Sequence, residues 1–357
     1  MFSLAMFVII LGVLIFVHEL GHFLTAKRAG VRVERFSLGF GPVLFSRTVN
    51  GTCYSLCAVP LGGFVKMAGD VAEEFKGNKD EYYAQPVFKR ALIVFCGPLM
   101  NYITGIICFI LVFWIGYPSF SGKIGQVLDG YGAKEAGIAA GDVIVSIDGQ
   151  KTPYWEDIQR MMRLRQSAQS VRVAVLRGGS ELLLDVPVGR RPADSPAGKA
   201  AAFLGVSPSE ETTVLKRGLI ESMRLGSLRS AELTVFTYKA FWWMITGKLS
   251  LRDSVTGPVG IFVITSKAVS AGVSAVLSLA AVLSLSLAIF NLLPFPILDG
   301  GHLAFLVLEK IRGRPLSNRA EAIVGNIGMY SLIVMAVFVT YNDILRFFGD
   351  RIRHFFH

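Results

Sequence analysis

Residues 16–23 read Phe-Val-His-Glu-Leu-Gly-His-Phe and hold the densest chemistry in the chain. His18 and His22 stand four apart, so on a helix both imidazoles leave one face, a turn from each other. Two ligands so spaced can reach one tetrahedral zinc ion. Glu19 follows the first histidine, where a carboxylate beside a metal can take a proton from water. Residues 2–17 carry no charge, and the group lies at the end of that apolar run. Ligating or charged side chains in a membrane span are costly, which makes them functional candidates by default. Two plainer readings compete: interfacial histidines in a chance pattern, or a cleaved signal peptide over residues 1–25. No Lys or Arg precedes the apolar run and no small-residue cleavage site follows Phe16, which argues against the second. The membrane setting favours metal over the first.

The chain has 357 residues, 52% of them hydrophobic, and this composition indicates a membrane protein carrying some soluble mass. Residues 2–26, 91–115, 268–298 and 322–341 are each apolar over the roughly 20 residues a spanning helix needs. The expected fold class is an α-helical polytopic membrane protein with four transmembrane helices. The net charge of +10 invites a nucleic-acid reading, but no recognition motif accompanies it. In a membrane protein basic residues mainly set topology. Residues 27–90 carry ten Lys or Arg and the short connection 310–319 carries four, which places both on the cytoplasmic side. The N-terminus, residues 117–267 and the C-terminus then lie outside. Cys53, Cys57, Cys96 and Cys108 all fall in the membrane or cytoplasmic part, so the exported part has no disulfide framework. Cys53 and Cys57 share a strand face and are read as packing.

The second chemical stretch closes the third span, as Asn291-Leu-Leu-Pro-Phe-Pro-Ile-Leu-Asp-Gly-Gly-His302. Pro294 and Pro296 forbid a regular helix, and broken backbone at membrane depth requires a buried or wet lining. Asp299 is the first charge after Lys267 and lies at the same level as the two histidines. It is the expected third zinc ligand, which leaves a fourth position for water. The competing reading makes Asp299 a helix N-cap. Glu34, Asp70 and His302 are the other candidates, His302 also as an outer partner of a ligand. His354 and His357 are placed on an outside tail, beyond reach of the metal. Asn101, a polar group at membrane depth, is read as helix-to-helix glue.

Between these stretches, residues 31–70 have β character. Two β-prone runs, 44–49 and 52–59, flank Asn50-Gly51, a strong hairpin signal, and residues 60–67 add another short strand. An ordinary hairpin and an edge strand that pairs with an extended substrate both fit. Residues 121–188 form a small soluble domain of strands around a helix at 153–166. Its segment Ala136-Gly-Ile-Ala-Ala-Gly-Asp-Val-Ile-Val-Ser-Ile-Asp-Gly149 resembles the PDZ domains of bacterial envelope proteases. A peptide ligand of this domain and a purely steric role both stay open. Residues 190–201, rich in Pro, Ala, Gly and Ser, read as a linker. Residues 212–246, ending in Phe241-Trp-Trp-Met-Ile, read as a helix on the outer membrane surface, or as one packed on the soluble domain.

Taken together, the chain resembles the site-2 protease family of intramembrane zinc metalloproteases, and within it the bacterial regulator-of-sigma-E protease branch. The likeness runs nearly end to end. It rests on His18-Glu-Leu-Gly-His22, Gly39-Phe-Gly-Pro42, Pro60-Leu-Gly-Gly-Phe-Val-Lys66, Gly97-Pro-Leu-Met-Asn101, Gly257-Pro-Val-Gly-Ile261 and the stretch from Asn291 to Gly300. The best-known branch members carry two PDZ domains in tandem, whereas one is found here. The resemblance implies Zn2+ on His18, His22 and Asp299, with Glu19 as general base and acid and Asn291 contacting substrate or the developing oxyanion. It implies a membrane-reentrant β element that pairs with unwound substrate. It also implies single-pass membrane proteins, already trimmed outside, as substrates within the bilayer of a bacterial inner membrane. Two other classes keep partial support. A metal transporter or channel would suit the broken third span, although one metal constellation stands alone and no pathway is evident. An inactive PDZ scaffold would not need the intact Glu19.

The expected layout is therefore a first spanning helix with the zinc motif (1–26), a cytoplasmic-side β element and loop (27–90) and a second spanning helix (91–116). A PDZ domain (117–190), a linker with a surface helix (191–267) and a third spanning segment bearing Asp299 (268–303) follow. A cytoplasmic loop (304–321) and a fourth spanning helix with exported tail (322–357) complete it.

Overall fold

Helix α1 (Phe2–Ala29) is apolar around its circumference until the histidines, the pattern of a helix that meets lipid or protein on every side. Lys27 and Arg28 close its last turn, where cations complement the carbonyl end. The computed structural model describes residues 2–190, 202–250, 254–315 and 317–356. The chain divides into two units, Met1–Trp114 with Gly218–His357, and Ile115–Arg217. After α1 come strands β1 (Val33–Val49) and β2 (Thr52–Met67), joined by Asn50 (φ 50°) and Gly51 (φ 77°) in the left-handed turn their residue types favour. β1 pairs twice: Arg35 faces both Cys53 and Lys66, and Leu38 faces both Leu56 and Gly63. The sheet therefore has four segments in the order 43–49, 52–59, 33–40 and 63–67. Helix α2 (Val87–Ile115) follows, with Pro98 inside it.

The second unit is a small β-rich domain with its own core. Its elements are β3 (Tyr117–Phe120), β4 (Ile124–Val127), α3 (Gly132–Glu135), β5 (Val143–Ile147), β6 (Gln150–Lys151), α4 (Trp155–Leu164), β7 (Ser170–Arg177) and β8 (Ser180–Pro187). Short strands β9 (Gly189–Arg190), β10 (Ala202–Phe203), β11 (Val206–Pro208) and β12 (Thr212–Leu215) close it. The main sheet runs β6-β5-β7-β8, while β11 pairs with β4 and β12 with β3. Ile144, Ile147, Ile158, Val173 and Leu204 lie in one buried cluster. The unit thus extends beyond the expected boundary at 190, because residues 202–203 pair with β9 and residues 206–215 return to pair with β4 and β3. The linker expected at 190–201 falls, but for Arg190, outside the described residues.

The chain returns to the first unit with α5 (Leu219–Ile245), α6 (Pro258–Ala271), α7 (Val273–Asn291), α8 (Asp299–Arg312) and α9 (Asn318–Phe356). Four helices are long and apolar enough to cross a membrane: Phe2–Ala29, Val87–Ile115, Val273–Asn291 and, within α9, Ala322–Phe347. These make the chain a polytopic membrane protein that also carries sheets. Three expectations need correction. The stretch 268–298 is not one span: Gly272, at φ 103°, separates α6 from α7, and residues 292–298 turn irregularly around the two prolines. The loop expected at 304–321 is mostly helix, since α8 continues to Arg312 and stops at the left-handed Gly313. The helix expected to lie flat on the outer surface instead packs lengthwise along α2 and α7. Gly226 abuts Ile110, Tyr102 hydrogen-bonds Thr234 (3.1 Å), and Phe241 meets Phe290 edge-on. Buried Ser222, Gly226 and Ser230 form the small-residue stripe that lets α5 come close.

Helix α6 is tied to both sides. Phe262 packs on Phe7 of α1, and the Gly260 amide donates to the buried Asp343 carboxylate of α9 (2.7 Å). The tail histidine His354 lies in α9 among residues whose side chains are not described, and His357 lies outside the described residues.

Candidate metal centre

Two backbone approaches bring α1 and α2 together at the histidines. A Cβ on Gly21 would sit 2.2 Å from the Cys96 carbonyl oxygen, and one on Gly97 would sit 2.2 Å from His22 Nε2. Only glycine permits either contact. Pro98 removes an amide from the α2 ladder at this level. Close by, the Ile93 carbonyl accepts a hydrogen bond from His22 Nδ1–H (2.9 Å). That bond selects the tautomer whose Nε2 presents a lone pair, the usual arrangement behind a metal-bound histidine.

His18 Nε2 lies 3.2 Å from His22 Nε2 and 3.1 Å from Asp299 Oδ2, while His22 Nε2 lies 3.6 Å from Asp299 Oδ1. Tetrahedral ligands about 2.0 Å from one zinc ion stand about 3.3 Å apart. The three residues form the one metal-capable group of His, Cys, Asp or Glu found among the described residues. Asp299 Oδ2 is buried without a hydrogen-bond partner, an atom that a cation would satisfy. Donor types and spacing therefore fit zinc. Asp299 occupies the first turn of α8, whose N-cap is Leu298 with no side-chain cap bond, so the capping reading does not describe it.

Glu19 shares the turn with the histidines on α1. It also lies against the sheet, because a Cβ on Gly63 would come 3.1 Å from Glu19 Cγ. The 63–67 edge of the sheet thus runs beside the metal-capable group. Asn291 is the last residue of α7. Glu34 pairs with Arg32 and Asp70 with Lys66, both away from the centre, and the His302 ring meets Phe305. The buried Asn101 side chain leaves Oδ1 unpartnered, while its backbone carbonyl accepts from Ser284 of α7 (2.7 Å). The helix-joining bond is thus made by the backbone of Asn101.

In the second unit, α4 and residues 202–208 line a groove of about 810 Å³, with Trp155, Ile158 and Met162 on one side and Phe203, Leu204 and Val206 on the other. Strand β11 has β4 as its sole strand partner among the described residues, so its other edge is unpaired. Sequence reasoning missed residues 203–208. The signal available was the alternation around Leu204-Gly205-Val206, too short to register alone.

A His-Glu-x-x-His turn converging with a distant aspartate on membrane helices defines a membrane-embedded zinc peptidase. Comparison with known proteins agrees: the profile of peptidase family M50 matches residues 6–335. A putative zinc metalloprotease of Agrobacterium fabrum is 35% identical, with 96% of each chain covered. The regulator of sigma-W protease RasP of Bacillus subtilis is 30% identical over 96% of this chain and 98% of its own. The regulator of sigma E protease of Haemophilus influenzae is 27% identical over 97% of this chain and 99% of its own. The chain belongs to peptidase family M50. It is a zinc metalloprotease.

Proposed function

We propose that the protein hydrolyses a peptide bond within or near the transmembrane helix of single-pass membrane proteins. These substrates would already be trimmed outside the membrane, as anti-sigma factors or signal-peptide remnants are. The observation that carries this reading is the convergence of His18, His22 and Asp299 beside Glu19 and the open sheet edge.

His18, His22 and Asp299 hold the zinc, which when bound polarises a carbonyl and lowers the pKa of water toward about 7. Glu19 takes the proton of the attacking water and returns it to the leaving amine. Asn291, at the end of α7, donates its amide to the substrate carbonyl. A substrate helix locks its scissile carbonyl in i-to-i−4 bonds and must unwind before attack. The edge at 63–67 replaces those lost bonds, which the bilayer cannot supply. The excess of Lys and Arg in residues 27–90 and 310–319 supports a cytoplasmic-side position for this edge and the metal in a bacterial inner membrane, with the termini and the second unit outside.

The second unit acts as a single PDZ domain. An extended peptide adds to the free edge of β11 beside α4. The unit favours ends that earlier cleavage has freed. Removing residues 121–189 should let untrimmed single-pass proteins be cut, whereas unchanged selectivity would refute the filter.

The test of the whole is cleavage of a trimmed single-pass substrate by purified protein in liposomes, comparing wild type with Glu19→Gln and following metal content in the same samples. The variant should keep its zinc and lose about 10³-fold or more in rate. A variant that still cuts with wild-type zinc would remove Glu19 from the mechanism.

A further inference from the structure

Helix α8 carries Asp299 in its first turn and Glu309 in its last. At 1.5 Å per residue the two lie about 15 Å apart on one rod. The first turn of that rod is seated by Gly300 and Gly301 against the carbonyls of Leu292, Leu293 and Phe295, and Leu306 is its further buried position. Glu309 meets Arg90 of α2 in a fork-to-fork pair, with Nη2 to Oε1 at 2.5 Å and Nη1 to Oε2 at 3.1 Å. The Arg90 side chain is 6% exposed and that of Glu309 15%. The remaining guanidinium edge is also used, since Arg90 Nε donates to the Gln85 carbonyl (3.1 Å) and the plane lies over the Tyr82 and Tyr83 rings. Planar bidentate geometry fixes direction as well as distance.

Arg90, Ile93 and Gly97 recur at helical spacing along one face of α2. Ile93 anchors His22 Nδ1 and Gly97 seats its ring. One face of one helix thus holds both a histidine of the centre and the far end of the rod bearing the aspartate. We infer that Arg90 and Glu309 are positioning residues that set where Asp299 stands relative to His18 and His22, and so set zinc affinity and ligand geometry. The inference rests on the reading of these three as ligands. The pair touches neither metal nor substrate and acts through the rigidity of α8.

The test uses full-length protein in nanodiscs, stripped of metal, with zinc affinity from chelator competition, the visible spectrum of the cobalt-loaded form, and the thermal midpoint of the metal-free form. Glu309→Gln and Arg90→Gln should each weaken zinc binding by about 10-fold or more, the range for removing outer partners of a metal site. They should also alter the cobalt bands and leave the metal-free midpoint near that of wild type. Arg90→Lys, which keeps the charge and loses the fork, should fall between. The double variant Arg90→Glu with Glu309→Arg should bind zinc more tightly than either charge-altered single variant. Wild-type affinity and bands in the single variants would overturn the inference. So would a loss of affinity that merely follows a fallen midpoint and is not recovered by the exchange. Asp299→Asn and His18→Ala separate the two levels. Wild-type affinity in these would remove the ligand reading and the clamp with it, while their failure to bind beside an unaffected Glu309→Gln would remove the clamp alone.

Discussion

The metal centre and the groove of the second unit are built on opposite plans. The centre is closely set by backbone: two glycine contacts, one backbone carbonyl on His22 Nδ1 and the seating of Gly300 and Gly301 on the proline-bounded turn before Asp299. The groove rests on a conventional apolar core beside a strand edge that is unpaired among the described residues. The contrast separates chemistry from selection. On the proposed reading, chemistry is placed where helices touch backbone to backbone, and selection where a packed domain leaves one side open.

That contrast can be broken at either end. The largest expected effect is at Gly97→Ala, whose methyl group would occupy the place of the His22 ring. Zinc affinity should fall by about 10–100-fold, and hydrogen exchange in residues 116–217 should stay as in wild type. Exchange changes spreading into that unit would erase the separation.

A smaller effect is expected from the second unit's own electrostatics. Asp142 is buried, and Arg177 donates to it through Nε (2.8 Å) and Nη2 (2.7 Å), with the Ala139 amide adding a third bond (2.9 Å). The Arg177 guanidinium holds this carboxyl below its usual range, with burial opposing and the Ala139 bond assisting. Its stabilisation is therefore complete above the unfolded value of about 3.9 and is lost as pH falls through the lower native value. Asp142→Asn should cost about 2 kcal/mol at pH 7. The deficit should vanish in acid, and zinc affinity should not change. Local hydrogen exchange across pH measures the first two, and chelator competition the third.

The smallest effect sharpens the comparison from within the membrane unit. Tyr102→Phe deletes the bond to Thr234 and should cost about 0.6 kcal/mol, the average for such helix-to-helix bonds. Activity should stay near wild type, because α5 is held mainly by its small-residue stripe. A large loss in unfolding assays would show the hydroxyl pair to be the principal tie.

What could be read from the sequence follows the same division. His18, Glu19 and His22 were legible because one helical turn encodes their geometry locally. Asp299 was legible because a lone charge after two prolines at the end of an apolar run is costly without a purpose. Helix α5 was misread because Ser222, Gly226 and Ser230 make its packing face, and a stripe of small residues carries no hydrophobic period. Strands β11 and β12 were missed because each is too short to show alternation and pairs with a strand distant in sequence, Val206 with Val127 and Leu215 with Tyr117. The second pairing of β1 has no local signal, since it depends on β2 turning back upon the same strand.

The order of the ligands along the chain bears on how the protein is made. His18 and His22 emerge before the second unit in synthesis, and Asp299 follows only after that unit and α7 have been translated. Domains generally fold as units while the ribosome is still at work. A nascent chain can therefore complete its second unit and its first apolar helices while still lacking Asp299. The metal-capable group is complete only once α8 has been made, so a product arrested before α8 lacks it.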